Sequence, residues 1–262
     1  MNKLTTRIVS VGLFAIAVGL AAVSVASAAT IVTDSFSYPA GNLVQTGSPW
    51  TNFSGSGTDI QVTGSYAIGN ENNAPDDQLP FAAQPTTSAT YACFQAEIPS
   101  FTGAALPTYF ALLKDTGTTN FFSRVYVMPL AAGGWTFGLS FSATSSTVGP
   151  VLWASAMTND VYHNIVIKYD PVALTSTMWV DPVNESSTSI SQSGTGTAVG
   201  IAGFALRQSS SASTLPSSYA TGSTKWLYYI DNLGVGTTFN DACGQATPTR
   251  GSTWGQLKAA YH

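Results

Sequence analysis

The sequence predicts an all-β chain, an antiparallel sandwich or barrel folded as one domain, and three observations predict it. From Thr33 to Phe239 the chain runs as short apolar or alternating segments punctuated by Gly, Pro, Asn, Asp and Ser. No part of that stretch sustains a helical apolar period beyond two turns. Only 8% of the 262 residues are charged, where an ordinary globular domain carries about 25%. Ser, Thr, Gly and Asn supply the polar surface instead. With 44% hydrophobic and 11% aromatic residues the chain has the means to build a core, which excludes intrinsic disorder. A net charge of −4 with no basic stripe argues against nucleic acid as a partner.

The N-terminus carries Lys3 and Arg7 before an apolar run from Ile8 to Val25, closed by Ala26-Ser27-Ala28. That is the charge, core and small-residue pattern of a secretory signal peptide, with cleavage expected before Ala29. The rival is an uncleaved anchor, because the run sits at the lower edge of spanning length. The Gly, Ala and Ser within it and the A-x-A end favour removal. Residues 1–28 are therefore assigned to the signal peptide, 29–243 to the β-domain and 244–262 to a tail. The mature chain is expected outside the membrane, extracellular or at the cell surface, with the periplasm as the alternative compartment. Its only cysteines, Cys93 and Cys243, are expected to form one disulfide there.

The clearest strands are Thr33–Tyr38, Ser65–Ile68, Thr90–Ile98, Tyr109–Lys114, Phe121–Met128, Gly134–Phe141, Tyr162–Tyr169, Thr175–Val180, Ile201–Arg207 and Lys225–Val235. In the third, Ala92, Phe94 and Ala96 alternate with Tyr91, Cys93, Gln95 and Glu97. In the seventh, Ile165, Ile167 and Tyr169 alternate with Asn164, Val166 and Lys168. One apolar and one largely polar face per strand means two stacked sheets. Ser142–Thr147 and Ser186–Gly196 are too rich in Ser, Thr and Gly to pack and read as exposed loops.

Four segments carry a resemblance: Lys168-Tyr169-Asp170-Pro171, Thr177-Met178-Trp179-Val180-Asp181-Pro182, Ala205-Leu206-Arg207-Gln208 and Tyr229-Ile230-Asp231-Asn232-Leu233-Gly234-Val235. They resemble the closing strands of concanavalin A-like jelly rolls, most of all the LamG-like modules of secreted bacterial proteins. The opening Asp34-Ser35-Phe36-Ser37-Tyr38, with Gly41-Asn42-Leu43 and Trp50, is similar to the first strand and loop of those modules. The resemblance spans about Thr30 to Phe239 and consists of strand patterns, so it speaks for fold and not for activity. It implies that the first and last strands share a sheet and that Cys93 and Cys243 lie near one sheet edge.

After Cys243, Gly244–Gly251 reads as a linker. Thr253-x-x-Gln256 then offers a capping box for a short helix through Tyr261. Trp254, Leu257 and Tyr261 form one apolar stripe, which reads either as a docked or frayed end or as a recognition peptide for another protein.

The search for chemistry returns little. Several glycan-cleaving enzymes share the jelly-roll fold, and their strand-borne Glu-x-Asp-x-x-Glu string is missing here. The only Glu residues are Glu71, Glu97 and Glu185, far apart in sequence, whereas glycoside hydrolysis needs two neighbouring carboxyls. His163 is the only histidine before His262 and reads as a structural residue. Glu71, Asp76 and Asp77, within Asn70 to Asp77, supply oxygens for a structural Ca²⁺, which many jelly-roll modules hold at the rim; the same residues also make an ordinary turn. Arg124 and Tyr126 share a face of one strand, Trp135 and Phe137 a face of the next, and Arg207 ends another. Arg124, Tyr126, Trp135 and Arg207 are the candidate ligand-binding set, as an aromatic platform with polar side chains beside it suits a glycan. The expectation is a secreted, non-catalytic binding or adhesion module for carbohydrate. A structural or surface-assembly protein and a glycan hydrolase or lyase are the alternatives.

Overall fold

The computed structural model describes residues 29–45, 47–71, 75–142, 148–208 and 222–244. In chain order its strands begin with β1 (Thr30–Asp34), β2 (Gly41–Asn42), β3 (Thr51–Ser54), β4 (Gln61–Val62), β5 (Ala67–Asn70), β6 (Asp76–Pro80), β7 (Thr90–Glu97) and β8 (Thr108–Lys114). They continue with β9 (Phe121–Pro129), β10 (Trp135–Ser140), β11 (Val151–Leu152), β12 (Tyr162–Asp170), β13 (Thr175–Val180), β14 (Ile190–Ser193), β15 (Gly203–Leu206) and β16 (Leu227–Gly236). A short helix, α1 (Phe239–Cys243), follows. The signal segment 1–28 and the tail stripe of Trp254, Leu257 and Tyr261 lie outside the described residues.

Two antiparallel sheets stack face to face. One has nine strands in the order β14-β13-β12-β7-β16-β5-β4-β2, with β1 added alongside β16. The other has seven, in the order β11-β10-β9-β8-β15-β6-β3. The first and last strands do share a sheet, with Thr33 opposite Gly234 and Asp34 opposite Leu233. The opening motif is held by one carboxylate. Asp34 accepts from the Phe36 amide (2.7 Å), the Tyr38 hydroxyl (2.8 Å) and the Trp50 indole (2.5 Å).

Between the sheets lies one core. The alternation read from β7 and β12 holds: Ala92, Phe94, Ala96, Ile165, Ile167 and Tyr169 are all in it. At its centre Phe110 packs on Tyr228 (5.2 Å between ring centroids) and Trp226 (5.8 Å), while Phe94 packs on Phe204 (5.3 Å). Each such ring contributes about 1.5–3 kcal/mol by leaving water.

Some local readings are corrected. Asp76 and Asp77, at the end of the turn-like stretch from Asn70 to Asp77, instead open strand β6, because paired strands lie on both sides of it and Leu79 faces the core. Ile190–Ser193, inside a stretch expected as loop, is an edge strand. There Thr177 and Ser191 share a hydrogen bond (2.9 Å) in place of apolar packing.

A patch of the outer face of the nine-stranded sheet is covered by α1. Phe239 and Ala242 pack on Tyr91, Cys93, Val166 and Trp179. Gly234 permits this approach, since a Cβ there would meet the Ala242 carbonyl at 2.1 Å. Cys93 and Cys243 belong to this layer and are free thiols in the structure. They lie side by side: a hydrogen bond that the Cys93 thiol donates to Cys243, then burial, pushes Cys93 well above its usual range. Cys93 stands on β7, an interior strand, and not at a sheet edge.

Gly69 supplies a test of the packing. A Cβ there would sit 1.7 Å from Tyr228 Cζ, and Tyr228 is fully buried with its hydroxyl donating to the Arg207 carbonyl (2.9 Å). Gly69→Ala is therefore expected to cost about 1–3 kcal/mol or more through overpacking. Chemical denaturation reads this as a lower midpoint, and an unchanged midpoint would refute the close approach.

Candidate functional site

The second face of the seven-stranded sheet is built by two interruptions of strand alternation. In β9, Phe122 and Ser123 both turn to the core: Phe122 packs there, and the Ser123 hydroxyl meets the Lys168 carbonyl (2.9 Å) and the Ser176 hydroxyl (2.8 Å) of the opposing sheet. Ser123 has φ of 49°, a left-handed conformation typical of a bulge. In β8, Phe110 and Ala111 both face the core, and the pairing of β8 with β9 shifts register at these points. Beyond the two bulges the alternation resumes, and Tyr109, Leu112, Tyr126, Met128 and Ala205 gather on the outer face with Phe53, Phe121 and Leu152 at its margin.

Three cations lie on these rings. The Arg124 guanidinium is 4.7 Å from the centre of Tyr109 and 5.4 Å from Phe121. The Arg207 guanidinium is 4.2 Å from the same Tyr109 ring, and Lys114 Nζ is 5.1 Å from Phe53. Tyr109 and Tyr126 pack at 5.3 Å. Lys114 donates to Gln78 Oε1 (2.7 Å) and the Asp115 carbonyl (2.8 Å), and burial lowers its pKa. Arg207 Nε lies 3.8 Å from Asp76 Oδ2. Arg124 differs from both. It is 8% exposed, its Nε has no hydrogen-bond partner, and among the described residues no carboxylate pairs with it. The buried Tyr126 hydroxyl beside it on β9 is also without a partner.

Arg124 opens onto a cavity of about 270 Å³ where β9 begins and β10 ends. Thr119, Asn120, Thr195 and Thr197 line it together with Phe121 and the core-side Phe122, Phe141 and Val199, so hydroxyls, an amide and a cation share it with three aromatic rings. A neighbouring depression of about 410 Å³ shares Phe141, Ser142 and Thr195 with it and lengthens it into a groove.

Of the expected ligand-binding set, Arg124, Tyr126 and Arg207 are brought together and Trp135 is not. Trp135 is 1% exposed in the core, where it packs on Phe137 (5.0 Å). The expectation placed Trp135 and Phe137 on one face, correctly, but that face is the inner one. Tyr109 and Phe121, the rings beneath the guanidiniums, were not singled out from the sequence. Their neighbours Phe110 and Phe122 compete for the same role, and only the bulges decide which ring of each pair faces outward.

Glu71, Asp76 and Asp77 do not converge as a metal site, and among the described residues no three acidic, His or Cys side chains do. Each meets a different partner. Asp76 accepts from Ser54 (2.8 Å) and the Gln208 amide (3.0 Å). Asp77 accepts from Asn52 (3.4 Å) and the Ile60 amide (3.3 Å). Glu71 accepts a long bond from Thr108 (3.4 Å), and its second oxygen, Oε1, has no partner. His163 finds Asp181 at 2.7 Å from its Nδ1, consistent with a structural histidine.

No protein-family model matches the chain, and no curated protein matches its sequence. Solved structures do match. A sialidase has a TM-score of 0.50 at 10% identity over 80% of this chain, which spans 19% of that larger protein. The CBM2 module of the evolved Dit of Lactobacillus casei BL23 phage J-1 has a TM-score of 0.51 at 12% identity, covering 80% of this chain and 96% of that one. Endo-1,3-beta-glucanase from Streptomyces sioyaensis has a TM-score of 0.50 at 13% identity, with 80% and 96% covered. The chain is thus an all-β protein that shares the two-sheet jelly-roll sandwich fold of these structures.

Two buried carboxyls predict a pH dependence. Burial pushes Glu71 from an ordinary 4.5 up to about 7, against the opposing pull of Lys225 and Thr108. Burial and the neighbouring Asp59 push Asp77 from 3.8 up to about 6. Both hold a proton more tightly folded than unfolded, so their stabilising contribution is complete below about pH 4 and is lost as pH rises towards 7. Thermal melts across that window are expected to show this loss, and Glu71→Gln is expected to flatten it. An identical slope in wild type and variant would contradict the assignment.

Proposed function

We propose that this is a secreted, non-catalytic glycan-binding module whose ligand lies along the outer face of the seven-stranded sheet. The observation that carries the reading is the cavity where β9 begins, in which Arg124, its buried Nε without a partner, and Phe121 stand among threonine hydroxyls and the Asn120 amide. A buried polar atom left unbonded costs about 1–3 kcal/mol, and sugar hydroxyls are suited to the polar groups of the cavity while Phe121 offers its ring to the sugar's apolar face. The carbohydrate-binding module among the structural neighbours supports the same reading at the level of fold, and the signal-like N-terminus supports export.

A second reading, hydrolysis or elimination on a glycan, is favoured by one observation, the Glu71 carboxyl held near neutrality like a general acid. Incubation with polysaccharide panels separates the two. Retention without release of reducing ends or unsaturated products is expected, and release that Glu71→Gln abolishes would establish the enzyme. For binding, Arg124→Ala and Phe121→Ala are each expected to weaken affinity about tenfold or more, as loss of a hydrogen-bonding or stacked contact in the cavity predicts. Wild-type protein that binds no glycan would refute the module.

Export also bears on the cysteines. Exchange of the adjacent Cys93 and Cys243 thiols with an external disulfide, which is reduced to two thiols as they are oxidised, would fasten α1 to β7. A thiol titration of denatured, unreduced protein recovered from an oxidising compartment is expected to find none. Two free thiols would show that the pair stays reduced.

A further inference from the structure

Resting on the glycan reading, we infer that the ligand is an acidic sugar and that Arg124 holds its carboxylate. The three cations of the outer face are not equivalent. Arg207 has Asp76 at 3.8 Å, and Lys114 has two oxygen acceptors at 2.7 and 2.8 Å. Arg124 has aromatic rings only, with a bare Nε, although it is almost entirely withdrawn from water. A buried charge demands an opposite charge or a full set of hydrogen bonds. Cation–π contacts return about 0.5–2 kcal/mol, and only Nε is shut off from water, so the terminal nitrogens are left to be met from the cavity side. The missing partner is thus an anion, and it arrives from outside, because the cavity opens onto Arg124 and the lining positions Thr119, Asn120, Thr195 and Thr197 carry no charge.

The shape of the guanidinium narrows the anion. Its planar fork matches a carboxylate in two parallel hydrogen bonds, and Phe121 and Tyr109 fix the plane from which the fork is presented. The neutral hydroxyl and amide groups of the cavity suit the ring hydroxyls of the same sugar. A uronic acid or another carboxylated pyranose satisfies both demands, and a neutral hexose satisfies only the second.

The test uses the mature chain and matched polymers: polygalacturonate, alginate and sialylated oligosaccharides, each beside its carboxyl-reduced counterpart, with a panel of neutral glycans. Binding to at least one acidic form is expected to be at least about tenfold tighter than to its reduced form, a difference of about 1.4 kcal/mol. Arg124→Gln is expected to erase that difference. Arg124→Lys, which keeps the charge over the rings but loses the fork, is expected to retain part of it, and this guards against a variant that merely folds poorly. Equal binding to acidic and reduced forms, or a preference that survives Arg124→Gln, would overturn the carboxylate and leave the glycan reading standing. Binding to no polymer of either kind would remove both.

Discussion

The outer face of the seven-stranded sheet depends on two breaks in strand alternation. Without the doubled residues Phe110-Ala111 and Phe122-Ser123, the side chains of β8 and β9 on one side of each break would be out of phase with those on the other. Arg124 and Tyr126 would then face the core, or Phe122 would leave it. Ser123 makes the break in β9 tolerable, because its small hydroxyl is satisfied by Ser176 and the Lys168 carbonyl across the core. A left-handed, non-glycine residue fixed by two partners is thus what aims Arg124 at Tyr109 and Phe121.

The same arithmetic explains what could be read from the sequence. Where alternation is unbroken, as in β7 and β12, the inward residues were legible one by one, and so was the two-sheet architecture. The pairing of first and last strands followed from the opening and closing motifs. Arg124, Tyr126 and Arg207 were legible because a charged residue beside aromatics on a strand stands out in a chain with 8% charge. Trp135 was misplaced because a strand's period says which residues share a face but not which face is inward. Tyr109 and Phe121 were hidden because each adjoins a second aromatic, and bulges leave no mark in composition. Glu71, Asp76 and Asp77 cluster in sequence, but Asp76 and Asp77 sit on β6 and meet Ser54 and Asn52 of β3, whereas Glu71, ahead of that strand, meets Thr108 of β8.

The two outer faces of the sandwich have been put to different uses. The nine-stranded sheet carries α1 over its middle strands, which Gly234 admits to close range and which places Cys243 against Cys93. The seven-stranded sheet carries charge on aromatic rings next to an open cavity. A chain so poor in charge places Lys114, Arg124 and Arg207 on one face, and this concentration distinguishes it from the merely polar Ser- and Thr-rich remainder.

The most direct measurement is an NMR titration that follows the Arg124 Nε–H resonance of isotopically labelled protein as an acidic oligosaccharide is added. A ligand seated on this face predicts a large, saturable shift of that resonance, accompanied by the aromatic protons of Tyr109 and Phe121, while Tyr66 and Tyr229 on the other sheet stay still. Shifts confined to the nine-stranded sheet, with Arg124 unmoved at saturation, would contradict it.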